Sequence, residues 1–354
     1  MKLLYILHFI IILILPIVLT VAFYVLTERK IIASIQRRTG PNVVGWWGAL
    51  QPIADGLKAI LKEQIKPLRS VFYLFLFAPI LTFLISLLAL NFICFKFTRS
   101  YFDEYLNFLF FFSISSFNVF GIIFAGWTSN SKYTLLGSLR AAAQTFSFEM
   151  SFITILLPIF LLNSSFNLID IVIYQIQFWN IFVFFPLSLY FFIILLAETN
   201  RTPFDLPEAE AELVAGYNLE YSAINFALFF LGEYTNMLIG SCIFVIFFLG
   251  GWLPFYTNLW KYFFFLYLNS YLISFFFFFK VIVIACLFIL VRALLPRYRF
   301  DQLMDLCWKK ILPTACSFFL FFVFIIYFFD GFHYNLELNY LKPKNLIILF
   351  FKIT

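Results

Sequence analysis

Runs of about 20 apolar residues recur along this chain, each long enough to cross a bilayer as a helix. In hydrocarbon, every backbone N–H and C=O must be satisfied within the protein, so a spanning segment is a helix or part of a closed barrel. Barrel strands alternate weakly over short segments, whereas these runs are continuous. With 64% hydrophobic and 12% charged residues, an ordinary soluble domain is excluded. The expected fold is all-α, a single polytopic membrane domain over 1–354 with eight transmembrane helices.

The expected spans are Leu3–Leu26, Val71–Phe95, Leu106–Ala125, Thr145–Leu162, Ile181–Ala197, Tyr221–Leu249, Tyr271–Leu295 and Ile311–Phe329. The first reads as a span rather than a cleaved signal, because no small-residue cleavage site follows it. Between the first two spans, Gly48–Glu63 reads as an amphipathic helix started by Pro52. Ile53, Leu57, Ile60 and Leu61 fall on one stripe, with Asp55, Lys58, Lys62 and Glu63 off it. Such a helix lies in the membrane interface. Most Lys and Arg fall in loops 27–70, 127–146, 198–220 and 296–310, which share one side; a polar tail follows from about 330. The excess of positive charge assigns that side to the cytoplasm or matrix. The 56 Phe residues read as nucleotide bias, since any apolar residue suits a lipid-facing position, and they point to an organelle genome.

Acid is concentrated between the fifth and sixth spans. The chain has 18 Asp and Glu, and Glu198, Asp205, Glu208, Glu210, Glu212 and Glu220 fall within Ala197–Glu220. Pro203 and Pro207 prevent one continuous helix there. Asp205 and Glu208 form a capping box for a short helix to about Ala215, with Gly216 as its stop. Glu208 and Glu212 then repel at i,i+4, an arrangement stability does not favour. Its bland reading is a solvated acidic face.

Glu149, Glu233 and Lys280 lie within apolar runs, where a charge costs about 2.5–3.5 kcal/mol. A series of Glu from the inner face to mid-bilayer suits a proton relay. The competing reading is a set of static ion pairs, for instance Lys280 with Glu233. On the inner face, Glu28, Arg29, Arg37, Arg38, Asp55, Lys58 and Glu63 gather beside the amphipathic helix. That face suits the lip of an opening for an amphiphile, a docking surface for soluble partners, or both. The five Cys form no CxxC pair and read as small core residues, and His8 and His333 are too few for a haem or zinc core. No Walker loop, GxGxxG or nucleophile triad is present.

The motifs ERKIIASIQRRTGPN, GALQPIADGLKAILKE, GWTSNSKYTLLGSLRAAAQTFSFE, AETNRTPFDLPEAEAELVAGYNLE, FFLGGWLP and VRALLPRYRFDQLMDLCWK occur in this order from Glu28 to Pro313. In them the chain resembles the subunit 1 family of proton-pumping NADH–ubiquinone oxidoreductase, respiratory complex I, in its mitochondrially encoded form. The resemblance implies an eight-span subunit of the mitochondrial inner membrane. Its partners would be the hydrophilic quinone-site and terminal iron–sulfur subunits, neighbouring membrane-arm subunits and lipid, with no nucleic acid. Ubiquinone would be the substrate; flavin and iron–sulfur clusters would sit in partner subunits, and this chain would bind no cofactor or metal. The resemblance assigns Arg29, Asp55, Lys58, Arg140, Arg201, Arg292, Arg297 and Arg299 to the quinone chamber. It assigns Glu149, Glu198, Asp205, Glu208, Glu210, Glu212 and Glu233 to proton coupling. The alternatives are the homologous subunit of a membrane-bound hydrogenase and a stand-alone ion transporter; the broad charged face on one side argues against a transporter.

The expected topology places both termini outside. Engineered cysteines near Lys132 and Arg299 should label only from the inner side, and one near Lys261 only from the outer side. Labelling of all three from one side would refute it.

Overall fold

The computed structural model describes the backbone of residues 2–93, 106–176, 178–205, 216–254 and 270–330. All regular structure there is helical. Helix α1 covers Lys2–Ile35 and α2 covers Gln51–Leu61. Next come α3 (Phe72–Leu90), α4 (Asn107–Ser116), α5 (Asn118–Thr128) and α6 (Lys132–Asn163). Short α7 (Leu168–Tyr174) and α8 (Asn180–Val183) precede α9 (Phe185–Glu198) and α10 (Ala223–Phe248). Helix α11 (Ser270–Leu294) leads to α12 (Phe300–Asp305), a π-helical turn (Leu306–Ile311) and α13 (Leu312–Asp330).

Six helices among the described residues are long and apolar enough to cross a membrane: Phe72–Leu90, Asn107–Thr128, Lys132–Asn163, Ala223–Phe248, Ser274–Leu294 and Phe300–Phe328. The expected fifth span is broken at Phe184, ahead of Pro186, leaving α9 as a shorter apolar helix of 14 residues.

Two expected loops are helical instead. Helix α6 begins at Lys132, well before Thr145, because Ser131 caps it by accepting a hydrogen bond from the Thr134 amide. The following Leu-Arg-Ala-Ala-Ala-Gln run has strong helix propensity. The segment 296–310 is helical from Phe300, where the Gln302 side chain accepts from the Arg299 amide. Helix α1 likewise runs past Leu26 to Ile35. Periodicity could not separate these polar extensions from loops, because exposed charges such as Lys132, Asp301, Lys309 and Lys310 interrupt the apolar pattern. The helix expected over Asp205–Ala215 lies outside the described residues beyond Asp205, and so does the tail from 331.

The core is largely aromatic. Phe108, Phe160, Phe191, Phe247 and Phe248 join α4, α6, α9 and α10, with ring centroids 4.7 Å (Phe108–Phe160), 5.4 Å (Phe108–Phe247) and 5.3 Å (Phe191–Phe248) apart. Other Phe side chains, such as Phe275 and Phe182, are exposed, as lipid-facing positions would be. At its N-terminal end α6 comes very close to the turn Gly216–Asn218. A Cβ on Gly137 would lie 2.7 Å from the Gly216 Cα, and Gly216 has φ +59°. Both glycines are therefore required by space or by backbone conformation.

Gly137→Ala should destabilise the chain by about 1–3 kcal/mol through overpacking. An SDS or thermal unfolding midpoint unchanged in that variant would show that the turn can yield.

Candidate functional site

The described acids and arginines meet where α1, α10, α11 and the segment after α9 converge. Glu233 lies ten residues into α10, about 15 Å along it. Its carboxylate pairs with Arg201 Nη2 at 2.9 Å and accepts a hydrogen bond from the Tyr217 hydroxyl at 2.9 Å. The two charged side chains are only 6% and 11% exposed, so this pair is buried. The Arg201 guanidinium also lies over the Tyr234 ring, 4.5 Å from its centroid, and over Phe230 at 5.2 Å. Tyr234 donates to Glu28 Oε2 at 2.7 Å, and Arg292 pairs with the other oxygen of Glu28. One polar chain thus runs from Arg292 through Glu28, Tyr234 and Arg201 to Glu233 and Tyr217.

The segment carrying Arg201 is held from two sides. Gln144 Nε2, fully buried on α6, donates to the Ala197 and Phe204 carbonyls at 2.9 Å each. The Tyr298 amide donates to the Pro203 carbonyl at 3.0 Å, and its ring stacks on Phe204 at 5.4 Å. Arg297 then pairs with Asp205 at 3.0 Å. Burial pushes the Asp205 carboxyl above the ordinary carboxylate range, while Arg297 and Arg201 pull it back. The net shift is upward, so Asp205 holds a proton more readily than a surface aspartate.

Two cavities adjoin this network. The larger, about 40 Å³, is lined by Glu149, Glu198, Ser115, Asn118, Thr145 and Asn236 among others. The smaller, about 20 Å³, holds Glu198 and Glu233 together with Asn200 and Tyr217. Asn118, Glu198, Thr199 and Asn236 line both, so the cavities share a wall and Glu198 faces each. Glu149 and Glu198 thereby line the first cavity and Glu198 and Glu233 the second, so the three carboxylates follow one another along adjoining cavities.

The remaining residues are dispersed. Arg29 pairs with Asp55 at 2.7 Å across α1 and α2, and Gln51 supports Asp55 at 3.1 Å. These side chains are 48% and 40% exposed, so the pair contributes about 0–1 kcal/mol. Lys58 and Arg299 are exposed, and Arg140 packs beside the Phe300 ring at 5.8 Å. Glu208, Glu210 and Glu212 lie outside the described residues. The alternative pairing of Lys280 with Glu233 is not formed. Lys280 is at the other end of α10, donating to the Leu249, Gly251 and Leu253 carbonyls. Tyr217, Tyr234 and Gln144 belong to the network but not to the sequence-derived set. Glu28, expected in the charged cluster beside α2, instead pairs with Arg292 and accepts from Tyr234. The tyrosines and Gln144 had no signal, because only packing brings them to charged neighbours.

Comparison with known proteins decides the family. The sequence profile of the NADH dehydrogenase family matches residues 8–329. The chain belongs to the NADH dehydrogenase family. Among its relatives, NADH-ubiquinone oxidoreductase chain 1 of Cyanidium caldarium is 50% identical over 319 residues, covering 90% of this chain and 91% of that protein. The Arabidopsis thaliana protein of the same name is 52% identical over 305 residues, 86% and 91% of the two chains. A bacterial relative, a subunit of the NADH-quinone oxidoreductase of Paramagnetospirillum magneticum, is 49% identical over 302 residues, 85% and 86%.

Removing one member of the buried pair leaves the other charge unanswered. Arg201→Met or Glu233→Met should each cost about 3–5 kcal/mol, and the double variant should recover most of that loss. Unfolding midpoints in detergent measure both. A double variant no more stable than the weaker single would show that the pair does not govern this site.

Proposed function

We propose that this chain forms the membrane side of the quinone chamber and the carboxylate path that couples quinone reduction to proton movement. It is a core membrane subunit of proton-translocating NADH:quinone oxidoreductase, the enzyme its relatives are named for. The observation that carries the coupling role is the pair of adjoining cavities holding Glu149, Glu198 and Glu233. Buried carboxylates are costly to keep charged, and proton uptake is the cheapest relief. Quinone reduction consumes protons at the inner face and so alters the charge these groups feel. Coupled carboxyls at such spacing titrate as a set. The Arg201–Glu233 pair gives the path a switchable end, since a proton on Glu233 weakens the pair and frees charge on Arg201.

Asp205, with Glu208, Glu210 and Glu212, supplies the inner mouth of that path. Arg29, Asp55, Lys58, Arg140, Arg201, Arg292, Arg297 and Arg299 line or support the quinone chamber. The exposed stripe Ile53, Leu57, Ile60 and Leu61 on α2 supports its place in the membrane interface, as the lip through which a long-tailed quinone enters. Eight crossings follow if α1 and the broken pair α8–α9 join the six long apolar helices. The site is the mitochondrial inner membrane, where partner subunits hold the flavin and iron–sulfur clusters.

In an assembled complex, Glu149→Gln and Glu233→Gln should lower quinone turnover and proton pumping together, as tightly coupled steps require. Gln keeps the shape of Glu but carries no transferable proton. Assembled Gln variants with normal turnover and pumping would refute the relay. Asp55→Asn should impair membrane-quinone reduction while NADH oxidation by an artificial acceptor upstream persists. Loss of both activities in an intact complex would contradict the local role of Asp55.

A further inference from the structure

The apolar run Asn107–Thr128 is interrupted in its middle, and the interruption carries a polar side chain. Helix α4 ends at Ser116 and α5 begins at Asn118. Around the break the Phe117 amide donates to the Ile114 carbonyl and the Phe120 amide to the Phe117 carbonyl, at 3.1 Å each. Ser113 and Ser116 donate back to the Phe110 and Ser113 carbonyls at 2.8 Å each. Serines bonded in this way compete with the helix ladder and bend it. Gly121 lets α5 press onto α3, since a Cβ there would lie 2.3 Å from Thr82 Cγ2. Asn118 is thereby held in the wall common to the two cavities, together with Glu198.

A polar side chain inside a membrane-spanning helix is costly and functional by default. Asn118 Oδ1 is buried and accepts no hydrogen bond among the described residues. The same holds for Oδ1 of Asn200, which is 5% exposed and lines the smaller cavity. A buried acceptor without a donor is destabilising, so each of these amides calls for a partner from outside the chain. An amide has nearly the same shape at both ends, so a half-turn presents either its oxygen or its nitrogen to a cavity. Between Glu198 and Glu233 the smaller cavity is walled by amides, by hydroxyls and by apolar groups. An amide neither takes up nor releases a proton near neutral pH, so it cannot pass one on, but it can hold a molecule that does. A water needs about 10–15 Å³ and about two to four polar partners. The cavities offer about 40 Å³ and 20 Å³.

We propose that Asn118 is a positioning residue whose amide seats a water at the junction of the two cavities, with Asn200 seating water on the Glu233 side. One hydrogen bond to the amide leaves the water's other positions for the carboxyl groups that line the same cavity. The transfer then balances: the water oxygen takes the proton of a protonated Glu198 as the water gives one of its own to the Glu233 carboxylate. One O–H bond of the water forms, another breaks, and the water is regenerated. An apolar side chain at 118 would leave the water without its anchor at the point where the cavities meet. The part in proton transfer rests on the carboxylate path proposed above, whereas the water site does not.

The test uses the whole complex. A high-resolution map of the unmodified complex should show an ordered water within hydrogen-bond distance of the Asn118 amide. Asn118→Leu keeps the size of the side chain and removes its polar atoms, so that water should be lost. Quinone turnover and proton pumping should then fall together about a hundredfold, the lower end of what a positioned proton-transfer group contributes. NADH oxidation by an artificial acceptor should stay unchanged. Asn118→Ser keeps a hydroxyl to hold the water and should restore most of both activities. A dry Asn118 amide in the unmodified complex overturns the proposal, whether or not the leucine variant assembles. So does an assembled leucine variant with normal turnover and pumping, or a serine variant as slow as the leucine one. Glu198→Gln measured alongside separates the two ideas: normal pumping there removes the carboxylate path and with it Asn118's part in transfer, while the map still judges the water site.

Discussion

The Arg201–Glu233 pair is the interaction around which the N-terminal half of α10 and its neighbours are arranged. A carboxylate ten residues into a membrane-grade helix needs an opposite charge, and none is available from its own helix face. The guanidinium comes from the segment after α9, which must fold inward to deliver it. That requirement explains the buried amide of Gln144, the Tyr298–Pro203 hydrogen bond and the Asp205–Arg297 pair, all of which tie the segment down. It also explains why Tyr234 and Tyr217 are placed with their hydroxyls on carboxylates, since a buried phenol needs a partner.

The two ends of α10 handle charge in opposite ways. Near its start, Glu233 is held by an ion pair and a phenol, groups that can rearrange when a proton arrives. At its C-terminus, Lys280 donates to the Leu249, Gly251 and Leu253 carbonyls. The cavities lined by Glu149 and Glu198 lie beside the Glu233 end of the helix.

Much of this was legible from residue order. The apolar runs marked the long helices, and the stripe Ile53–Leu57–Ile60–Leu61 marked α2. Helix starts were less legible. Lys132–Gln144 and Phe300–Lys310 look like charged loops because exposed polar residues such as Lys132, Asp301, Lys309 and Lys310 interrupt their apolar pattern. The fifth span looked continuous, although Pro186 breaks its hydrogen-bonding pattern at Phe184. Glu149, Glu198 and Glu233 were recognisable as costly charges, but not their order along a shared path, because that depends on how α5, α6, α9 and α10 pack.

The sequence by itself determined that the long apolar runs are helical, that acid gathers between two of them, and which family the chain resembles. These are properties of composition and local spacing, and hydrocarbon leaves the backbone few alternatives. The tertiary structure alone decided which charge answers which. Lys280 and Arg201 were both plausible partners for Glu233 by type. Helix length separates the first from it by about 24 Å, and the inward fold of Thr199–Asp205 brings the second to 2.9 Å. Coulomb interaction depends on distance and burial, which no one-dimensional reading of residue types contains.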